Sequence, residues 1–482
     1  MSTTASTHPV HALAVQARTT GRGAARPDGI VLHGVLVVIA VLVFPVLLYL
    51  AHLAPFARIL YPLGNFALAA WLFARRSPWY AAHCLLIFCC VSLVRRLVDE
   101  QAGFDPVNPV LITPYLCASL AALALVEYWL RTRPAHIGAL LLLLGATLYG
   151  GVLAALDGRI LSGAVDALKW LTGPLFVAYA LARDDARGEQ RALLERSLVI
   201  AACAMSIYGI WQFVSPSSWD SLWMQGVAEL GMDSIGVPEP FALRVFSTMN
   251  SPGSFGAILL AAILVALKRP LPVSIPAVSC MLVGLGLCQY RTIWAATALG
   301  ILMLALMRPR AFAPRNLLAA GVVLLALSAT ALLPEVRDAI ARRVDTINEL
   351  KADRSGEERL NQYRDLLSDD ALIAGEGLGL AGSLRRLDGL PRAISDSGLI
   401  DIWRALGVVV GSGFLGALAL LCARALAPTA HAAMDLDFDR AIAVTTFVQL
   451  PMGSVHTGEM GFCAWLFLGL ALAARQQQRI AR

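Results

Sequence analysis

The sequence predicts an all-α polytopic membrane protein of about 12 to 14 transmembrane helices, with a large helical loop outside the bilayer. Three observations lead there. Of the 482 residues, 58% are hydrophobic and only 15% are charged, more apolar surface than one water-soluble core can hide. The apolar residues are gathered into runs of bilayer-spanning length. Counted off alternately, those runs put the short basic connections on one side of the membrane. In that setting the net charge of +6 sets orientation and gives no sign of a nucleic-acid partner.

Residues 1–29 are rich in Ser, Thr, Ala and Gly, carry Arg18, Arg22 and Arg26, and lack an apolar h-region. They predict a flexible cytoplasmic tail and no cleaved signal peptide. A bilayer core of about 30 Å asks for roughly 20 apolar residues per helix. Fourteen segments follow, at 30–53, 57–73, 79–94, 110–130, 137–155, 163–181, 193–213, 253–267, 273–289, 293–307, 316–333, 398–422, 441–456 and 460–474. Segments 57–73, 79–94 and 293–307 are short for a span, which leaves the helix count open. The connections holding Arg75-Arg76, Arg131 and Arg133, Arg183 to Arg191, Lys268-Arg269, Arg308 to Arg315 and the tail 475–482 share one face. The positive-inside rule makes that face cytoplasmic, with both termini on it. The transmembrane bundle is then 30–333, with an outer loop at 214–252, and it resumes over 398–474.

Residues 334–397 fall outside the bilayer, and 23 of these 64 are charged, so they face water. Val336, Ile340, Val344, Ile347 and Leu350 recur at helical spacing. A second helix is predicted over 357–367, and a glycine-rich turn at Gly375-Glu376-Gly377-Leu378-Gly379. The stretch reads as a small folded periplasmic cap. The nine cysteines lie in or beside apolar runs without C-x-x-C spacing, as small core residues do. No internal repeat is visible, which counts against a transporter built from inverted repeats.

The chemistry is sought where charge is unexpected. In "RVFSTMNSPGSFGAILL", Arg244 precedes an inward-running helix whose Ser251-Pro252-Gly253 turn presents backbone N–H groups and the positive end of the helix dipole. That combination makes an anion site. Arg291 sits between two apolar segments on the same outer face, where the positive-inside rule disfavours it. Neither has an acidic neighbour in sequence, and a guanidinium fork suits a phosphate or diphosphate. Arg95, Arg96 and Arg159 are further outer-face cations, read as pairing with Asp99, Glu100 and Asp157 or as reaching lipid phosphates. Asp396, ahead of Ser397-Gly398, is either the N-cap of the next helix or a carboxylate able to accept a proton from a sugar hydroxyl. Asp401 and Arg404 are expected to pair with each other or with neighbours. His456 and Glu459 sit in the loop joining the last two helices, where the histidine is a surface residue or a proton carrier. No Ser-His-Asp order, H-E-x-x-H, phosphate loop or Asp-rich metal motif is present.

Arg244 with its "R-x-F-S-T-M-N-S-P-G-S-F" continuation, the short helix leading to Arg291, Arg364 and "G-E-G-L-G" in the long outer loop, and the polar residue opening the next helix resemble the bacterial O-antigen ligase and polymerase superfamily, over roughly residues 200–475. The resemblance implies a GT-C type glycosyltransferase using an undecaprenyl-diphosphate-linked glycan as donor at the periplasmic face of the inner membrane, with no metal or other cofactor. It implies that Arg244, Arg291 and Arg364 hold donor phosphates, with Asn250, Ser251, Glu376 and His456 in the substrate-binding set. Asp396 falls where the ligases carry a catalytic histidine followed by asparagine. Asp396-Ser397 therefore departs from the pattern, favours a polymerase of exopolysaccharide, capsule or O-antigen over a ligase, and leaves Glu376, Asp401 or His456 as alternative bases. Partners expected on that view are the lipid-linked glycans, membrane lipids, and chain-length regulator and flippase proteins of the same pathway. Against the enzyme stand a flippase or exporter of the lipid-linked unit, and a non-catalytic assembly subunit.

Overall fold

Backbone amides have no water to bond in hydrocarbon, so long apolar runs satisfy them internally as helices. A computed structural model describes residues 27–130, 135–183, 187–231, 233–308, 361–364, 366, 373–380, 383–389, 397–428 and 434–480. We number its principal helices α1 (Gly29–Leu50), α2 (Ala54–Ala74), α3 (Trp79–Ala102), α4 (Pro109–Trp129), α5 (Ile137–Leu156), α6 (Ile160–Ala182) and α7 (Arg187–Val214). There follow α8 (Ser218–Ala228), α9 (Pro252–Ala266), α10 (Leu271–Leu287), α11 (Arg291–Met307), α12 (Gly398–Leu426), α13 (Met434–Phe447) and α14 (Gly458–Ile480).

Among the described residues, nine helices are long and apolar enough to cross a membrane, and α9, α10 and α11 are shorter apolar helices. The protein is a multi-pass helical membrane protein. Twelve of the fourteen expected segments coincide with helices; one, 316–333, lies outside the described residues, as do residues 1–26 and most of the cap at 334–397. The segment expected at 441–456 needs correction. Its helix, α13, begins at Met434 and stops at Phe447. Pro451 and Gly453 then interrupt the chain, and residues 453–457 form a loop turned into the bundle.

Helix α9 is buried along its whole length and forms the centre of the bundle. Helix α1 lies at the rim, where Val31, Leu32, Leu47 and Leu50 face outward, as lipid-facing residues do. Small residues line the crossing between α6 and α14. Gly173 makes room for the Trp465 ring, and a methyl at Gly469 would stand 2.9 Å from the Ala180 Cβ.

Gly375–Gly379 is no simple turn. It is an extended strap laid between α5, α6 and α12, with φ near +85° at Gly375, Gly377 and Gly379. Glu376 and Gly377 donate their backbone N–H groups to the carbonyls of Arg404 and Ala405 at 2.8 and 2.9 Å, and Leu378 donates to Gly150 O at 2.9 Å. Those two carbonyls are free to accept because α12 breaks at Gly407 (φ 73°, ψ 169°). A Cβ at Gly377 would meet Ala154 N at 2.6 Å, so backbone lies on backbone and only glycine fits.

Candidate functional site

Where the strap crosses α6 and α12, one end of the bundle opens into a cavity of about 380 Å3. Helix α6 supplies Asp166, Lys169 and Trp170, α12 supplies Asp401 and Arg404, and α14 supplies Glu459 and Met460. Tyr115 of α4, Asn250 and Ser254 at the start of α9, and His456 with Thr457 from the loop after α13 complete its polar wall.

Each ionisable group has a fixed setting. Asp166 Oδ2 accepts the Gly379 N–H of the strap at 3.0 Å. Lys169 Nζ stands 6.0 Å from the centre of the Tyr115 ring, with Asp166 and Glu459 as its facing carboxylates. Ser92 Oγ donates to Glu459 Oε1 at 3.0 Å. Glu376 Oε1 accepts from Arg404 Nε at 3.1 Å, and Ser454 donates its hydroxyl to Asp401. Arg159 donates to the carbonyls of Glu376 and Leu378 and pairs with Asp157 at 2.9 Å, which pins the strap.

His456 is the exception. It is 1% exposed, lies edge-on to Trp170 with ring centres 4.4 Å apart, and neither ring nitrogen has a hydrogen-bond partner among the described residues. Burial pushes its imidazole down to about 3, so at neutral pH it is uncharged. Asn250 Oδ1 and Thr457 Oγ1 are likewise buried without partners. Buried polar atoms normally find partners, so several orphans around one cavity mark a place where water or ligand completes the bonding.

The arginines expected as anion ligands lie at the neighbouring corner. Arg244 donates to Ser234 O at 3.0 Å and to Gln289 O at 3.1 Å, two residues ahead of Arg291, which opens α11. Its guanidinium lies over the Tyr290 ring, 5.9 Å from the centre. Tyr290 and Met460 both approach Gly253, so they are the partition between this corner and the cavity. Ser251 caps α9, accepting the Ser254 N–H at 3.0 Å.

Asp396 lies outside the described residues, and the N-cap of α12 is its neighbour Ser397, whose Oγ accepts from Ile400 N at 3.4 Å. Arg364 is exposed, 3.5 Å from Asn361 Oδ1, while Tyr363 beside it reaches Ser397 Oγ at 2.7 Å. Arg95 pairs with Asp99 at 2.7 Å as expected, but Arg96 pairs with Asp220 of α8 at 2.7 Å, both fully buried. His456, read as a surface residue or a proton carrier, is buried. Sequence reasoning missed Asp166 and Lys169. Their signal was available: two ionisable residues three apart inside an apolar membrane segment. Among the described residues no group of three His, Cys, Asp or Glu side chains is placed to hold a metal ion. No family model, curated protein or solved structure matches the chain.

Proposed function

We propose that this protein is a glycosyltransferase of the bacterial inner membrane that polymerises undecaprenyl-diphosphate-linked oligosaccharide units at the periplasmic face. The observation that carries the reading is the buried His456, without a hydrogen-bond partner among the described residues, in a cavity one partition away from the Arg244–Arg291 corner. In the reaction, an acceptor hydroxyl oxygen attacks the anomeric carbon of the donor glycan. The bond from that carbon to the phosphate oxygen breaks, and the diphosphate leaves on its lipid. Arg244 and Arg291 offset the charge that grows on the leaving oxygen.

The proton of the acceptor hydroxyl passes to an imidazole nitrogen of His456, which we place in the role first read for Asp396. Glu376 is engaged by Arg404 and Asp401 by Ser454, whereas His456 is neutral and has no partner at either nitrogen among the described residues. Alanine at Arg244 or Arg291 is expected to abolish polymer while membrane insertion is retained. Normal polymer from both variants would remove the phosphate-site argument.

One observation favours a second reading, a flippase or exporter of the lipid-linked unit. Helix α12 breaks at Gly407, two residues beyond Ala405 of the cavity lining, and Lys169 of the same lining is about 14 Å along α6 at 1.5 Å per residue. Broken helices and ionisable groups at depth are features of transporters. Passage of intact lipid-linked oligosaccharide across vesicles holding the purified protein, without bond cleavage, would establish that reading.

A further inference from the structure

The cavity wall is unevenly charged. Among the described residues three carboxyl groups, Asp166, Asp401 and Glu459, line it with two cations, Lys169 and Arg404, and Arg404 is already bonded to Glu376. The next cation toward Glu459 is Arg96, and Asp220 holds it at 2.7 Å. Arg244 lies against the Tyr290 ring and, like Arg291, outside the cavity lining. The site is thus polarised, with positive charge at the corner and an excess of carboxyl groups in the cavity.

The unused hydrogen-bonding atoms add a second constraint. A neutral imidazole offers one donor and one acceptor, Thr457 Oγ1 offers both, and Asn250 Oδ1 only accepts. A ligand matching that mixture presents groups that donate and accept at several positions, as sugar hydroxyls do. The cavity volume, about 380 Å3, is near the lower bound of about 300 Å3 for small-molecule sites, which is room for a sugar residue.

We infer that this cavity is a subsite for one terminal sugar residue that is uncharged or carries an amine, and that it rejects a sugar acid. The inference rests on the glycosyl-transfer reading for placing a sugar here, and it adds the chemical class of that sugar. A sugar acid would bring a fourth carboxylate among three carboxyl groups, whereas an ammonium group would gain from them.

The test is saturation-transfer NMR on the full-length protein in deuterated detergent, with the methyl glycosides of glucose, glucosamine and glucuronic acid as probes. The glucuronide is expected to bind at least roughly tenfold more weakly than the glucoside. Glu459→Gln is expected to narrow that gap, Asp166→Asn to do the same if the first variant does not fold, and Lys169→Met to widen it. Thr457→Val should weaken all three glycosides together by about fivefold, the worth of one hydrogen bond. Equal binding of glucuronide and glucoside, a gap unmoved in a folded Glu459→Gln or Asp166→Asn protein, or no transfer signal from any probe would overturn the inference. Selective binding by a protein that makes no polymer would retire the polymerase and keep the subsite. Polymer from a protein without this selectivity would do the reverse.

Discussion

At the end of the bundle holding Arg191, charges interlock; at the end holding His456, they surround a space. Arg191 takes both carboxylate oxygens of Asp439, at 2.5 and 2.9 Å, and Glu195 at 2.8 Å. Lys268 joins Glu195 to Asp435, and Asp437 is shared by Arg308 at 2.6 Å and Arg440 at 3.0 Å. These pairs tie α7, α13 and the ends of α9 and α11 to one another. At the opposite end, Arg95–Asp99 and Arg96–Asp220 are closed pairs of the same kind, but the cavity beside them holds an imidazole, an amide oxygen and a hydroxyl that have no partner among the described residues. Buried charges with partners fix how helices meet, whereas buried polar atoms without partners beside a cavity await something that is not part of the chain.

The comparison breaks hardest at the interlocked end. Asp439→Ala leaves the Arg191 guanidinium short of its bidentate partner, and should cost about 3 to 5 kcal/mol, read as a large fall in the detergent thermal midpoint. A stability equal to wild type would mean that the clasp is decoration.

Gly377→Ala comes next. Its φ of +84° and the 2.6 Å approach to Ala154 N predict a loss of about 1 to 3 kcal/mol, together with a weakened hold of the strap on the cavity. The same thermal measurement checks it, and a neutral result would mean that the strap is loosely seated.

His456→Phe sharpens the contrast from the other side. Removing a buried, unbonded imidazole should leave stability unchanged or raise it by about 1 kcal/mol, while transfer falls by roughly two orders of magnitude or more. A destabilised variant would return His456 to the architecture.

The smallest effect is in the pH profile. His456 protonates near 3 in the folded protein and near 6.5 in an unfolded chain, so between those values the unfolded chain binds more protons. Stability from this group is complete above about pH 6.5 and declines as pH falls toward 3. Thermal midpoints measured across that window should fall less in His456→Phe than in wild type.

The helices were legible because bilayer thickness, run length and basic connections all constrain them together, and twelve segments were placed by those rules alone. The end of α13 was not, because Val448 to Met452 remains apolar after the helix has stopped, and hydropathy does not distinguish a helix from an apolar loop folded into a bundle. That misplacement also hid the burial of His456. Arg244, Asn250, Glu376 and His456 were legible as unusual residues in unusual places. Their arrangement into a corner and a cavity was not, since it depends on the strap, whose contacts join residues more than two hundred positions apart. Asp166 and Lys169 carried a signal that the search for surface charges passed over.

The most direct measurement supplies the purified protein with a lipid-linked oligosaccharide and resolves the products by mass spectrometry, for wild type, Arg291→Ala and His456→Gln. Our account predicts lipid-linked material growing in whole repeat-unit steps with release of undecaprenyl diphosphate, lost in both variants. Oligosaccharide left intact in detergent but carried across the bilayer of reconstituted vesicles would contradict it and make the cavity a passage.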